Sequence, residues 1–266
     1  MKANFKNKPS CLDKCKNVAY EWLNSPIFFN QDGTINHPIF NERYYCCNGI
    51  YIDLCVSPNQ RKAIANEKRE IANCANVGEI IFRIIRKQYW GEFFKDVADY
   101  IYGGDKEYGR LLSNIWYFTG DEKLKLSDDD WCMLFRKANK RCLMDKDEYK
   151  IYESLPDMVT LYRGSINENA KALSYTTEHD IAKWFALRYT KKGDTSYIIK
   201  TTIPKSAIFM FCEGENECVV DAHMIENYEV EKITNTGEKN EFPLDLLYHS
   251  ENTIAKPLED IVNIKI

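Results

Sequence analysis

Leu155-Pro156-Asp157-Met158-Val159-Thr160-Leu161-Tyr162-Arg163-Gly164-Ser165 is where the pattern of this chain turns over. Before it, from Ser10 to Leu126, apolar residues recur mostly at helical spacing, as in Asn59–Cys74 and in Val77–Tyr89. Lys146 to Ser154 reads as the last helix of that series, stopped by Leu155-Pro156-Asp157 because proline cannot continue a helix. Val159–Arg163 then opens a set of short β-branched or aromatic runs, followed by Tyr197–Ile203, Ala207–Phe211, Glu217–Val220 and Tyr228–Ile233. Bounded by Gly, Pro, Asn or Lys clusters, these read as strands. One helix interrupts them, Glu178–Tyr189, with Ile181, Trp184, Phe185 and Tyr189 on one face and Thr177 as its N-cap. The expected fold class is α+β, with a helical region over residues 1–155 and a strand-rich domain over 156–266.

Within the helical region, Gly103-Gly104-Asp105 and Thr119-Gly120-Asp121 are turn signals. Ser127-Asp128-Asp129-Asp130 has the form of an N-cap followed by an acidic first turn, so a helix is expected from Asp129 to Asn139. Tyr89, Trp90, Phe93, Phe94, Tyr100 and Tyr102 could be taken for a base-stacking platform, but helical spacing favours a packed core. No internal repeat is visible.

The chain has 266 residues, 44% of them hydrophobic and 29% charged, with 12 Gly and 8 Pro. These proportions exclude disordered, collagen-like and low-complexity classes and allow one large domain or two small ones. The most apolar stretch, Ile80 to Ile85, is short and interrupted by Arg83, so no membrane partner is expected. The basic N-terminus, MKANFKNKPSCLDKCKN, has no apolar segment behind it. The expected location is the cytoplasm, or the cytoplasm of a target cell reached without a signal peptide. Ten cysteines then read as reduced thiols, and their spacing forms no paired zinc knuckles with the four scattered histidines. Formal charge is −4 overall, but residues 156–266 hold 12 Lys and Arg against 18 Asp and Glu. Only the lysines near the N-terminus hint at nucleic-acid binding.

Three features of the second half could carry chemistry: Leu161-Tyr162-Arg163-Gly164-Ser165, Leu173-Ser174-Tyr175-Thr176-Thr177, and Gly214-Glu215-Asn216-Glu217-Cys218-Val219-Val220. Each has a plain structural reading, as an edge-strand arginine, a set of helix caps and a pair of solvated glutamates. Their order and context together resemble the R-S-E class of mono-ADP-ribosyltransferases, the cholera-toxin-like family. In that family an arginine strand, a Ser-Thr-Ser-like strand and a Glu-x-Glu turn line one NAD cleft. The resemblance covers roughly residues 155–235 and departs from the family at Thr176, where a second serine is common. Glu213, Glu215 and Glu217 form a ladder, and the apolar strand that follows selects Glu215 and Glu217 as the pair.

The resemblance implies a split, mostly antiparallel β-sandwich around the cleft, with NAD as cosubstrate and no metal. It assigns catalytic roles to Arg163, Ser174, Glu215 and Glu217, and cofactor contacts to Arg163, Gly164, Ser174, Thr176 and Glu217. Glu217 would stabilise the positive charge that develops on ribose as nicotinamide departs, the problem that glycosidases solve with carboxylates. Arg163 would meet pyrophosphate or ribose through directed donors. Ser174 would orient the nicotinamide ribose while Thr176 braces the strand, and Gly164 would admit the cofactor to the backbone. Glu215, sharing a face with Glu217 in an extended segment, would position and deprotonate an arginine acceptor. Trp184 and Phe185 are expected to support the cleft, with His179, His223, Cys212 and Cys218 outside the chemistry.

The implied activity is transfer of ADP-ribose to arginine side chains of a target protein. A rival within the enzyme class modifies RNA or DNA, and a second rival is an inactive transferase fold used as a binding module. An antitoxin or activator would be a partner in the toxin, effector, phage-defence and phage settings where such enzymes occur.

Overall fold

The computed structural model describes residues 10–102, 106–120, 125–169 and 171–246. The turn expected at Gly103-Gly104-Asp105 lies outside them, as does Asp121. Residues group into two compact units. One takes in the described residues through 102 together with 114–120 and 125–126, and the other holds 106–113 and 127–246. Among the described residues, no helix is long and apolar enough to cross a membrane.

The first unit begins with α1 (Cys11–Leu23), whose Ser10 forms a reciprocal capping box with Asp13. Two small hairpins follow, β1 (Phe28–Phe29) with β2 (Ile35–Asn36) and β3 (Tyr44–Cys47) with β4 (Ile50–Asp53). Neither was legible as a strand pair, because runs of two to four residues fall below any periodicity. Helix α2 (Ser57–Asn73) matches its expected bounds closely. The helix expected over Val77–Tyr89 is instead α3 (Val77–Glu79), a π-helical turn over Ile80–Ile84, and a separate 3₁₀ turn over Lys87–Tyr89. Ile85 between them is extended. Four isoleucines within six residues lose side-chain freedom in a helix, and the wider turn relieves that crowding. Arg86 closes the region by donating through Nη1 to the carbonyl oxygens of Ile35, His37 and Phe40.

Helix α4 (Trp90–Val97) buries Trp90, Phe93 and Phe94 as a core. Trp22 meets Phe93 edge-on at 5.2 Å and donates to the Asp96 carboxylate at 3.0 Å. Tyr100 and Tyr102 were expected in that core and are exposed, because α4 ends at Val97 before their turn of the helix is reached. Helix α5 (Lys106–Thr119) contributes residues to both units.

The second unit is mixed helix and antiparallel sheet, as expected for α+β. Helices α6 (Asp128–Lys137), α7 (Lys140–Leu143) and α8 (Lys146–Ser154) precede β5 (Met158–Ser165), β6 (Ser174–Thr176), α9 (His179–Leu187), β7 (Thr195–Pro204), β8 (Ile208–Cys212), β9 (Glu217–Val220) and β10 (Tyr228–Thr234). Ser127 caps α6 by accepting from the Asp130 amide. Thr177 does not cap α9: Glu178 holds that position, and its amide donates to Thr176 Oγ1 at 3.2 Å.

The six strands run in the order β10-β7-β5-β6-β9-β8, with each neighbouring pair antiparallel. One row of paired residues crosses the whole sheet: Glu229, Lys200, Tyr162, Thr176, Glu217 and Cys212. Directly paired residues share a face, so these side chains line one side of the sheet. The ladder between β5 and β6 is a single pair, Tyr162 with Thr176, flanked on each side by a three-stranded ladder.

The boundary expected at residue 155 lies elsewhere, since α6 to α8 belong with the sheet. Phe135 stacks on Phe209 with 5.4 Å between ring centres and 13° between planes. Met144 Sδ accepts from the buried Phe211 amide, and Arg136 grips Asp221 with a fork of hydrogen bonds. A change of hydrophobic period marks where helix gives way to strand; it does not mark where one core stops.

Candidate active site

The three motifs come together because their strands are consecutive neighbours in the sheet. Arg163 stands on β5, Ser174 and Thr176 on β6, and Glu217 opens β9. Beyond the Tyr162–Thr176 pair, Arg163 Nη1 donates to the Ser174 carbonyl oxygen at 2.9 Å. The guanidinium thus bridges two strands where their backbone ladder ends.

Strand alternation sets Arg163 and Tyr175 on the sheet face opposite to Ser174, Thr176 and Glu217. The guanidinium reaches the backbone of β6 at the Ser174 carbonyl oxygen. Burial lowers its pKa, opposed by the charges of Tyr175, Asp128 and Glu217. Arg163 and Glu217 therefore belong to one electrostatic group. Arg163 Nε is buried without a hydrogen-bond partner, a directed donor suited to an anionic ligand.

Asp128, the first residue of α6, is a member of this group that the sequence hid within an acidic first turn. Burial raises its pKa, while Arg163 opposes that rise. Tyr175, buried beside Arg163, has its phenol pushed up to about 12 by burial. An acidic helix start separated from β5 by α7 and α8 gives no sign of pairing with an arginine, so only the packing of α6 could reveal it.

The glutamate ladder is resolved into three environments. Glu213 to Glu215 form a 3₁₀ turn, and Asn216 then takes a left-handed conformation with φ 45°, which asparagine tolerates better than most residues. Its amide side chain donates to the Leu246 carbonyl, and its own carbonyl accepts from the Thr177 amide. Glu213 is buried, Glu215 is exposed, and Glu217 begins β9 at 8% exposure. The expectation that Glu215 and Glu217 share one face of an extended segment is corrected: the turn and Asn216 intervene.

Two of the expected cofactor contacts also change character. Thr176 is buried, and its hydroxyl donates to the Glu215 carbonyl while accepting from the Glu178 amide. Its one proton is committed to holding the glutamate turn. At Gly164 a Cβ would stand 1.9 Å from the Ala182 carbonyl oxygen and 2.5 Å from the Ala186 nitrogen. Helix α9 occupies the space expected for a cofactor, so glycine here admits a helix. Ser174 is partly exposed at the divergence of β5 and β6.

Trp184 and Phe185 are half-buried, with the Arg188 guanidinium over both rings. Cys212 and Cys218 are buried, and burial raises the Cys218 thiol far above the range of a reactive thiolate. His179 bonds to Glu231 at 2.9 Å and helps line a cavity of about 330 Å³ with Tyr162, Ile198, Lys200, Glu229 and neighbours. That cavity is not lined by Arg163, Ser174 or Glu217 and touches the motif strands through Tyr162 and its row.

The class defined at this level is an α+β protein whose antiparallel sheet gathers an arginine, a serine and a buried glutamate on three adjacent strands. Searches bring no more specific identity: the chain matches no protein-family model, no curated protein and no solved structure.

Proposed function

We propose that the sheet-bearing unit is a mono-ADP-ribosyltransferase, moving ADP-ribose from NAD to arginine side chains of a target protein. The observation that supports this reading is the adjacency of β5, β6 and β9, with Arg163 bonded to the Ser174 backbone carbonyl and within reach of the charge of Glu217. NAD would supply the ADP-ribosyl group, with nicotinamide as its leaving group. The unpartnered Arg163 Nε fits a phosphate or ribose oxygen, and the Ser174 hydroxyl lies where the two strands part.

Glu217 would provide fixed negative charge at the ribose. Its nearly buried carboxylate acts in a medium less polar than water, where a charge is felt more strongly. Glu215, exposed at the crest of its turn, would meet the acceptor guanidinium and take its proton. Arg163 serves two ends in this reading, bracing Ser174 through its carbonyl and offering Nε to the ligand.

The test is release of nicotinamide from NAD by the purified chain, followed by incubation of labelled NAD with cell lysate separated into protein and nucleic acid. Label on protein, removable by reagents that cleave arginine linkages, is the expected result. Label confined to nucleic acid would move the assignment to the rival acceptor. No release by folded protein, with or without lysate, would overturn the proposal in favour of a binding module.

A further inference from the structure

A second group of ligating side chains lies in the same unit, where α6 meets the segment leaving β9. Cys132 Sγ, an Asp221 carboxylate oxygen and a His223 ring nitrogen all lie within 4.8 Å of one another. Cys132 comes from the buried face of α6, while Asp221 and His223 come from the 3₁₀ turn that follows β9. From these positions we infer that the protein holds a divalent transition-metal ion of the zinc type, coordinated by Cys132, Asp221 and His223.

The donor set is one sulfur, one nitrogen and one oxygen, which suits zinc and disfavours the harder magnesium and calcium ions. Ligand atoms on a tetrahedral zinc stand about 3.5 Å apart, given bonds of about 2.0–2.3 Å. Cys132 Sγ and Asp221 Oδ1 are already 3.7 Å apart, leaving modest contraction to close the set. Asp129, one turn before Cys132 on α6, has its Oδ1 3.0 Å from His223 Nε2 and orients the imidazole from outside the three-residue set, which leaves the fourth position to water.

Arg136 is compatible with this arrangement. Its Nε and Nη2 donate to Asp221 Oδ2 at 2.9 and 2.7 Å, and Nη2 also reaches Oδ1 at 2.8 Å. Oδ1 is the oxygen turned toward Cys132, and it also accepts from the His223 amide. An ion taking Oδ1 would leave Oδ2 in the arginine's grip, the outer-shell support that ligating carboxylates commonly have. Charge also balances: a thiolate and two carboxylates offset the divalent ion and the guanidinium.

The ion would act as a clip, tying α6 to the exit of β9. Those elements carry Asp128 and Glu217, but the ion takes no part in the transfer chemistry. The expected effect is on stability and on the position of α6.

The test uses the full chain, stripped with a chelator and titrated with cobalt(II), then with zinc. A sulfur-to-cobalt charge-transfer band that saturates at one equivalent and bleaches on zinc addition is expected. C132S should abolish the band, and H223Q, at an exposed position, should weaken binding at least about tenfold. A zinc-dependent rise in Tm, lost in C132S, is the second readout. Absence of the band in folded wild-type protein, or its persistence at full strength in C132S, would overturn the inference.

Discussion

Arg163 Nη1 donates to the carbonyl oxygen of Ser174 at 2.9 Å, at the point where β5 and β6 stop pairing through their backbones. A side chain thus takes over where a ladder hydrogen bond is no longer made, which gives Arg163 a structural role beside the ligand contact we propose for it. Lysine at this position would keep a charge but lose the planar fork that serves Ser174 and the free Nε together. Arg163→Lys is expected to cost about 1–2 kcal/mol in urea unfolding, the worth of a charged hydrogen bond, and to reduce nicotinamide release more than tenfold. Stability and activity both equal to wild type would refute the dual role.

The two glutamates differ in exposure, and their variants should differ in kind. Glu217→Gln removes the buried charge and is expected to lower nicotinamide release by at least about 100-fold, as loss of a main electrostatic stabiliser does. Glu215→Gln, in an exposed turn, should leave release near wild type while lowering transfer to protein. Equal losses of release in both variants would show that the turn acts as one unit.

Gly164 is pressed under α9, with the Ala182 carbonyl and Ala186 amide nitrogen in the way of any added methyl group. Backbone atoms of a helix cannot step aside as a flexible side chain would. Gly164→Ala should therefore lift α9 from β5 and destabilise the unit by about 3 kcal/mol, at the upper end of overpacking costs, seen as a lower urea midpoint. A variant as stable as wild type would show that α9 has slack the packing does not suggest.

Glu148 closes the capping box at the start of α8, beside the Glu213 amide. Burial, opposed by the Asp145 amide and reinforced by the charges of Asp145 and Glu213, raises its pKa from 4.5 to about 7. The folded state then holds a proton that the unfolded chain has released, so this contribution is greatest at low pH and is lost as pH rises toward about 7. Buried His37, lowered by burial to about 4, works in the opposite sense, so the informative quantity is a difference. Glu148→Gln should gain stability relative to wild type between about pH 5 and pH 7.5, measured by urea unfolding at each pH. A pH-independent difference would mean that Glu148 titrates normally.

Much of the second unit was legible because its local signals are strong. Helix α8 and strand β9 have their expected bounds, read from a proline stop in one case and from a short apolar run in the other, while the capping box that starts α8 emerged only in the structure. Ser127 caps α6 as its acidic first turn suggests. The strands that carry Arg163 and Glu217 were readable for the same reason. Thr177 was misread as a cap because a threonine next to a helix start looks alike whether its own hydroxyl or its neighbour's is used. The small hairpins and the π-helical turn of the first unit depend on packing that no short window contains.

By itself the sequence determined the α+β class, most strand positions and the residue types of the three motifs. Hydrophobic period, proline and capping chemistry act over a few residues and leave their mark in linear order. Only the tertiary structure decided which motifs share a strand boundary, that Gly164 receives a helix, that Glu215 and Glu217 are parted by a left-handed asparagine, and that Asp128 joins Arg163. Those relations are set by register and packing between segments far apart in the chain, where the interaction belongs to the pair and to neither residue alone.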